Sequence, residues 1–233
     1  HAGWYYSGAI AFNGLKLLPD KLDVIIIVGG HLPVGAHPMI ETARAWETPV
    51  GTVPIHQKLT NELRKNPQFV EGTGRDNTVE IQMPFIASIF PAVPALCLRL
   101  PPDAQALKTA DTIQQICHEL DLKAAVAGST DLCHYGPAYG LTWAGAASEA
   151  ENRVESLDRS FLEALVKHDY PLVQNLANNN HAACSAGAAL CASRFAEKGD
   201  GTSSEVLYHG FSSDKRAGAS FVGYGVAGFG RLD

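Results

Sequence analysis

The stretch Asp23-Val24-Ile25-Ile26-Ile27-Val28-Gly29-Gly30-His31 decides the fold. Asp23 to Val28 is a continuous apolar, β-branched run, which suits a strand buried on both faces, as in a parallel sheet. The run ends at two glycines, and a histidine follows at once. Working outward, Ala95 to Leu100 reads as a second strand that stops at Pro101-Pro102. Lys123 to Ala127 reads as a third and ends at Gly128-Ser129-Thr130-Asp131. Val206 to Phe211 and Ala219 to Val226 read as two late strands that can pair antiparallel.

Helical spacing fills the intervals. Ala106, Ala110, Ile113, Cys117 and Leu120 share one face. Val154, Leu157, Phe161 and Leu165 do the same, with Glu151, Glu155, Asp158 and Arg159 expected on the opposite face. Asn77 to Phe90 reads as a helix that Pro84 must kink or break. Cys184 to Lys198 reads as an Ala-rich helix closed by Gly199. Strands alternating with helices predict an α/β fold, a central mostly parallel, mixed sheet flanked by helices. No linker interrupts the pattern, so one domain over 1–233 is expected.

The chain has 233 residues, 46% hydrophobic and 18% charged, enough for one large core. A net charge of −6 gives no basic footprint for a nucleic-acid backbone. No apolar run approaches the roughly 20 residues that span a bilayer. The five cysteines, Cys97, Cys117, Cys133, Cys184 and Cys191, are odd in number and scattered. That argues for a reducing compartment, the cytoplasm, over a secreted disulfide framework. The chain opens on His1-Ala2-Gly3 with no strand before it, and an upstream strand leading into His1 is expected. A processed amino terminus chelating copper is the rival reading. Secreted copper enzymes of that kind are disulfide-bonded β-sandwiches, which this sequence does not resemble.

Ligands bind beyond the carboxyl ends of strands in open α/β sheets. That rule gathers His31, past the first strand, with Asp131 and His134, past the third, and with His1, past the expected upstream strand. Two imidazoles from neighbouring loops suit a transition metal such as iron, copper or zinc. The third ligand is open between Cys184 and Glu80. A thiol at a helix start is acidified by the helix dipole, whereas His-His-Glu would be the facial triad of non-haem iron oxygenases. Cys97, Cys117 and Cys191 sit on apolar faces and read as core. His37, His56, His118, His168 and His209 lack a partner pattern and read as structural or exposed. No Walker or dinucleotide fingerprint and no Gly-x-Ser-x-Gly elbow is present.

Several segments, in order along the chain, resemble one family. His1-Ala2-Gly3-Trp4-Tyr5-Tyr6-Ser7-Gly8 resembles the HAG(Y/W)xYSG opening of the MEMO family, also called AmmeMemoRadiSam system protein B. Val28-Gly29-Gly30-His31, Val79-Glu80-Ile81-Gln82-Met83-Pro84-Phe85 and Ala183-Cys184-Ser185 are similar to its shorter motifs. Ser129-Thr130-Asp131-Leu132-Cys133-His134-Tyr135-Gly136 resembles its SSDxxH(Y/W)G segment. The resemblance implies a fold like class III extradiol ring-cleaving dioxygenases. It implies metal ligands at His1, His31 and Cys184, with Asp131 and His134 in the pocket. Asn77 stands where the family usually has His, Gly29-Gly30 replaces a Gly-Pro context, and Ser185 replaces Gly.

On this reading the protein is a metal-binding oxidoreductase or dioxygenase, with Fe(II) first and copper or zinc as alternatives. His134 acts as acid/base and Asp131 orients it or a bound water. Glu80, Asn77 and Tyr135 line the substrate pocket or serve as alternative ligands. The competing functions are a module that binds a phosphorylated or carboxylated ligand without turnover, and a zinc hydrolase. The resemblance also implies association with radical S-adenosylmethionine and AMMECR1-like proteins, the ligand itself being a small molecule or peptide.

Overall fold

The computed structural model describes residues 1–72, 76–144, 147–199 and 203–230, without the side chains of 147 and 148. Its centre is β1 (Val24–Gly29), every residue of which is buried. The period-2 alternation divides this strand between two cores. Val24, Ile26 and Val28 join one apolar cluster, and Ile25 and Ile27 join the other. At about 1.5–3 kcal/mol for each fully buried aliphatic side chain, this one strand anchors both layers.

β1 lies between β6 (Ala95–Arg99) and β7 (Ala124–Gly128), parallel to both. Ile27 is opposite Cys97 on one side and Ala127 on the other. β2 (Met39–Ile40) pairs antiparallel to β6, and β5 (Val70–Glu71) pairs parallel to β2. The sheet order is β5-β2-β6-β1-β7, so β7 is an edge strand. β3 (Ala45–Thr48) and β4 (Gly51–Pro54) form a separate hairpin. The central, mostly parallel mixed sheet is as the sequence predicts. The short strands β2 to β5 carried too few residues for a readable alternation.

The late strands β9 (Ser203–Phe211) and β10 (Phe221–Gly230) are antiparallel. With β8 (His134–Tyr135) they make a second sheet of order β8-β10-β9. Helices cover the layers: α1 (Trp4–Leu15), α2 (Gln57–Arg64), α5 (Ala104–Glu119), α6 (Ala147–Val166), α7 (Tyr170–Asn180) and α8 (Ala186–Glu197). α1 packs on β10 and is not signalled by periodicity, because apolar residues also lie on its exposed side, Trp4 and Tyr5 among them. The expected helix over 77–90 is two helices, α3 (Asn77–Glu80) and α4 (Met83–Ile89). Pro84 sits in the first turn of α4, where its lack of an N–H costs nothing.

Two expectations need correction. Asp158 is fully buried instead of solvated, accepting from Cys133 N at 3.1 Å and pairing with His209 Nε2 at 3.0 Å. His209 therefore has a specific partner. In addition, α8 begins at Ala186, so Cys184 lies in the turn before it. All five cysteines are free thiols. No described helix is long and apolar enough to cross a membrane.

Candidate metal centre

The carboxyl ends of β1 and β7 build the site. β1 runs out through Gly30 at φ +107°, a left-handed conformation that disfavours any side chain. A Cβ there would come within 2.7 Å of Arg99 Cβ. Gly30 N donates to Thr78 Oγ1 at 2.7 Å, and the turn thereby presents His31 at the exposed sheet edge. β7 runs out into Ser129, Thr130 and Asp131. The turn before α8 locks onto this segment, with Cys184 N donating to Asp131 O at 3.1 Å and Ser185 N to Thr130 Oγ1 at 3.0 Å.

His1 is buried between these loops. Its backbone nitrogen donates to Asp131 Oδ1 at 2.9 Å, and Asn77 Nδ2 donates to its carbonyl at 3.3 Å. Its Nδ1 lies 3.1 Å from Ser129 Oγ, which Gln82 Nε2 approaches at 3.2 Å. These contacts fix the ring so that Nε2 faces outward. That nitrogen sits 3.2 Å from His31 Nε2 and 3.2 Å from Cys184 Sγ. The two rings meet edge-on, at 84°. Ligand atoms of His1, His31 and Cys184 all lie within 4.8 Å of one another.

A second set, Asp131, His134 and Cys184, meets the same distance test and shares the thiol. His134 Nε2 is 3.6 Å from Asp131 Oδ2, close enough for charge pairing and too long for a hydrogen bond. That nitrogen is buried and has no hydrogen-bond partner among the described residues. The ring of Tyr139 packs against that of His134, tilted by 57° at 4.9 Å between centroids.

Electrostatics follow from this crowding. Burial pushes the Cys184 thiol up, but the imidazoles of His1, His134 and His31 around it outweigh burial and bring the thiol down to about 4. Asp131 N adds a backbone donor 3.4 Å from Sγ. The acidifying agents are thus imidazoles, more than the helix dipole that the sequence suggests. Burial works against protonation of His134, yet Asp131 and Cys184 raise it to about 9. His1 is raised in the same way, burial being outweighed by Cys184 and Asp131.

Of the residues expected from sequence, the structure brings together His1, His31, Cys184, Asp131 and His134. Glu80 is not with them: its side chain is exposed at the end of α3, outside both donor groups. The structure therefore does not assemble a His-His-Glu triad. Asn77 touches the backbone of His1. Tyr135 does not face the cluster, because its ring packs between Trp143 and Phe221 in a buried aromatic cluster. Tyr139 supplies the aromatic wall instead. Ser129, Gln82 and Thr78 support the site and were not singled out from sequence, since a hydroxyl or amide without a spacing rule carries no signal.

Comparison with known proteins agrees with this architecture. A family model described as Memo-like protein matches residues 1–227. A MEMO1 family protein of Methanosarcina barkeri is 24% identical over 220 residues, covering 92% of this chain and 78% of the relative. One from Methanopyrus kandleri is 26% identical over 245 residues, covering 99% and 81%. The crystal structure of an uncharacterized protein from Escherichia coli K12 superposes with a TM-score of 0.50 at 12% identity. It covers 94% of this chain and 91% of that one, which is a likeness of fold alone. The chain belongs to the Memo-like protein family.

Proposed function

We propose that the protein is a metal-dependent oxidoreductase whose ion is held by His1, His31 and Cys184, with Fe(II) as the first candidate and copper as the second. The convergence of His1 Nε2, His31 Nε2 and Cys184 Sγ carries this reading. A proton can relieve one pair of facing electron-pair donors, whereas a shared cation satisfies all three. The donor types fit, since imidazole binds iron, copper and zinc and a thiolate adds a soft anionic ligand. Ser129 supports the His1 ring from behind, as outer-sphere partners do. His31 is exposed and Cys184 partly so, which leaves one face open to substrate.

A bound iron or copper ion supplies electron transfer between substrate and dioxygen. The chain's own groups do the rest. His134 holds a proton on Nε2 at neutral pH, so it serves first as a general acid. Asp131 anchors the backbone of His1 with one oxygen and keeps His134 charged with the other. Tyr139 covers His134 on its outer side.

The test is reconstitution with Fe(II) under argon, metal analysis, then oxygen-electrode assays with a panel of catechols and related phenols. Stoichiometric iron with oxygen uptake supports the proposal. Iron-loaded protein that consumes no oxygen across the panel overturns the dioxygenase reading. Zinc retained from unsupplemented growth, together with ester or amide hydrolysis, would replace it with a zinc hydrolase, the second reading that a His-His-Cys set favours. Metal binding without turnover, together with saturable binding of a phosphorylated peptide, would replace it with a ligand-binding module. We also propose kinship of fold with class III extradiol dioxygenases, a cytoplasmic location, and association with radical S-adenosylmethionine and AMMECR1-like proteins, which co-purification tests.

A further inference from the structure

Consecutive residues at the start of α3 reach the backbones of both imidazoles in the cluster. Asn77 Nδ2 donates to the carbonyl of His1 at 3.3 Å. Thr78 Oγ1 accepts from the N–H of Gly30, the residue before His31, at 2.7 Å. Asp76 caps the helix, accepting from Thr78 N at 2.9 Å, and it also accepts from the Thr78 hydroxyl. Arg99 Nη1 lies 3.7 Å from Asp76 Oδ2, and Arg99 Nη2 donates to Glu41 at 3.3 Å. Against burial, the bonds from Thr78 and the charges of His31 and Arg99 hold the Asp76 carboxyl below its usual range.

The direction of each bond in this chain is fixed. A carboxylate only accepts, so the single proton of the Thr78 hydroxyl points at Asp76. A lone pair of Oγ1 is then left for the Gly30 N–H. Thr78 is fully buried, and a Cβ on Gly29 would collide with its Oγ1, so the start of α3 presses directly on the end of β1. Beyond Gly30, the next backbone bond from this loop to another element, among the described residues, is Gly35 N to Asp103 Oδ2 at 2.7 Å. The anchor on Gly30 is therefore the one that governs His31. His1 Nε2 and His31 Nε2 stand 3.2 Å apart. Two nitrogens bound to one ion at about 2.0–2.1 Å stand roughly 3.3–3.4 Å apart in a tetrahedron. The backbones that carry the rings hold them near that distance.

We propose that Asp76, Asn77 and Thr78 form a bracket that sets the distance between the two imidazoles, with Thr78 the positioning residue for His31 and Asn77 the one for His1. Asp76, held by Arg99, orients the Thr78 hydroxyl. Each acts through a backbone and none supplies a ligand. As a device for metal binding the bracket rests on the reading given above; as a geometric support it stands in the metal-free protein.

Co(II) binding and proton NMR test it together. Thr78→Val keeps the shape and removes the hydroxyl, Thr78→Ser restores it, and Asn77→Ala removes the other arm. Ile113→Ala, in the buried face of α5, controls for general loss of stability. Thr78→Val is expected to weaken Co(II) binding about 10–100-fold by chelator competition, with Asn77→Ala nearer the lower figure. Both should shift the d–d absorption of the bound ion. Thr78→Ser should return affinity and spectrum toward the parent, and Ile113→Ala should change neither. In metal-free protein, a through-space cross-peak between the His1 and His31 rings should appear in the parent and in Thr78→Ser, and fade in Thr78→Val and Asn77→Ala. Parent-like affinity and cross-peak in either folded bracket variant overturn the proposal. So does an equal loss in Ile113→Ala, or a failure of Thr78→Ser to restore what Thr78→Val loses. Asn77 is exposed, so Asn77→Ala decides the matter should Thr78→Val not fold. If the parent binds no Co(II), the metal reading fails and the cross-peak alone decides the bracket.

Discussion

Two histidine clusters in this molecule look alike in composition and differ in kind. Around His168, every polar atom meets its complement. Nδ1 lies 2.8 Å from Ser193 Oγ and 3.3 Å from Tyr170 OH, and Nε2 lies 3.4 Å from Ser204 Oγ. Tyr170 OH donates to Glu197, which pairs with Arg194. Around His1, by contrast, Nε2 faces another ring nitrogen and a sulfur, and His134 Nε2 has no hydrogen-bond partner among the described residues. A closed donor–acceptor circuit stabilises a fold; converging ring nitrogens and a thiolate need a cation between them, a proton or a metal ion.

The sharpest way to break this contrast is His31→Ala. Stoichiometric metal binding is expected to vanish, read by elemental analysis, while the melting temperature of the metal-free protein stays near that of the parent. Equal metal affinity in His31→Ala and the parent would remove His31 from the ligand set.

Next in size is the proton affinity of Cys184. Thiolate absorbance near 240 nm in metal-free protein is expected to persist down to about pH 4, and Cys184→Ser should erase that titration. The folded thiol ionises at about 4 against a reference of 9.0. It therefore adds stability that is complete above pH 9 and is lost as pH falls through 4. His134, raised from 6.5 to about 9, works in the other direction. Its contribution is complete below pH 6.5 and is lost as pH rises through 9. Metal-free stability carried by this pair should thus be greatest between those limits, as denaturant midpoints across pH would show.

His134→Ala is expected to retain metal and to lower turnover by about 10²–10⁴-fold, the usual worth of a positioned acid. Ser129→Ala should weaken metal binding by about 10–100-fold through loss of the support behind His1, measured by competition with a chelator. The smallest change belongs to the closed circuit. His168→Ala should cost about 1–3 kcal/mol of stability through loss of its contacts with Ser193, Tyr170 and Ser204, with metal content unchanged. If His168→Ala strips the metal, the distinction between the two clusters fails.

Much of the frame was legible in the chain. The β-branched run at β1 could be buried on both faces and little else, and turn residues marked where β6 and β7 stop. Asp158 was misplaced because helical periodicity reports a face, not a partner; its burial depends on His209 and the backbone of Cys133, which come from other elements. α1 was missed because its exposed side carries aromatic residues, Trp4 and Tyr5, which blur the contrast between its two faces. In the site, His31 and the Asp131-to-His134 segment stood out by their place at strand ends, and His1 by the family resemblance of the segment it opens. Glu80 competed with Cys184 because residue type alone cannot distinguish an exposed carboxylate from a ligand.

Sequence by itself determined the strands of the sheet core, the loops that leave it and the residue types available there, since these follow from local burial and backbone geometry. Only the tertiary structure decided which donors converge with His1 and which imidazole nitrogen is left without a hydrogen bond among the described residues. Those depend on distances between segments far apart in the chain, and local periodicity holds no record of them.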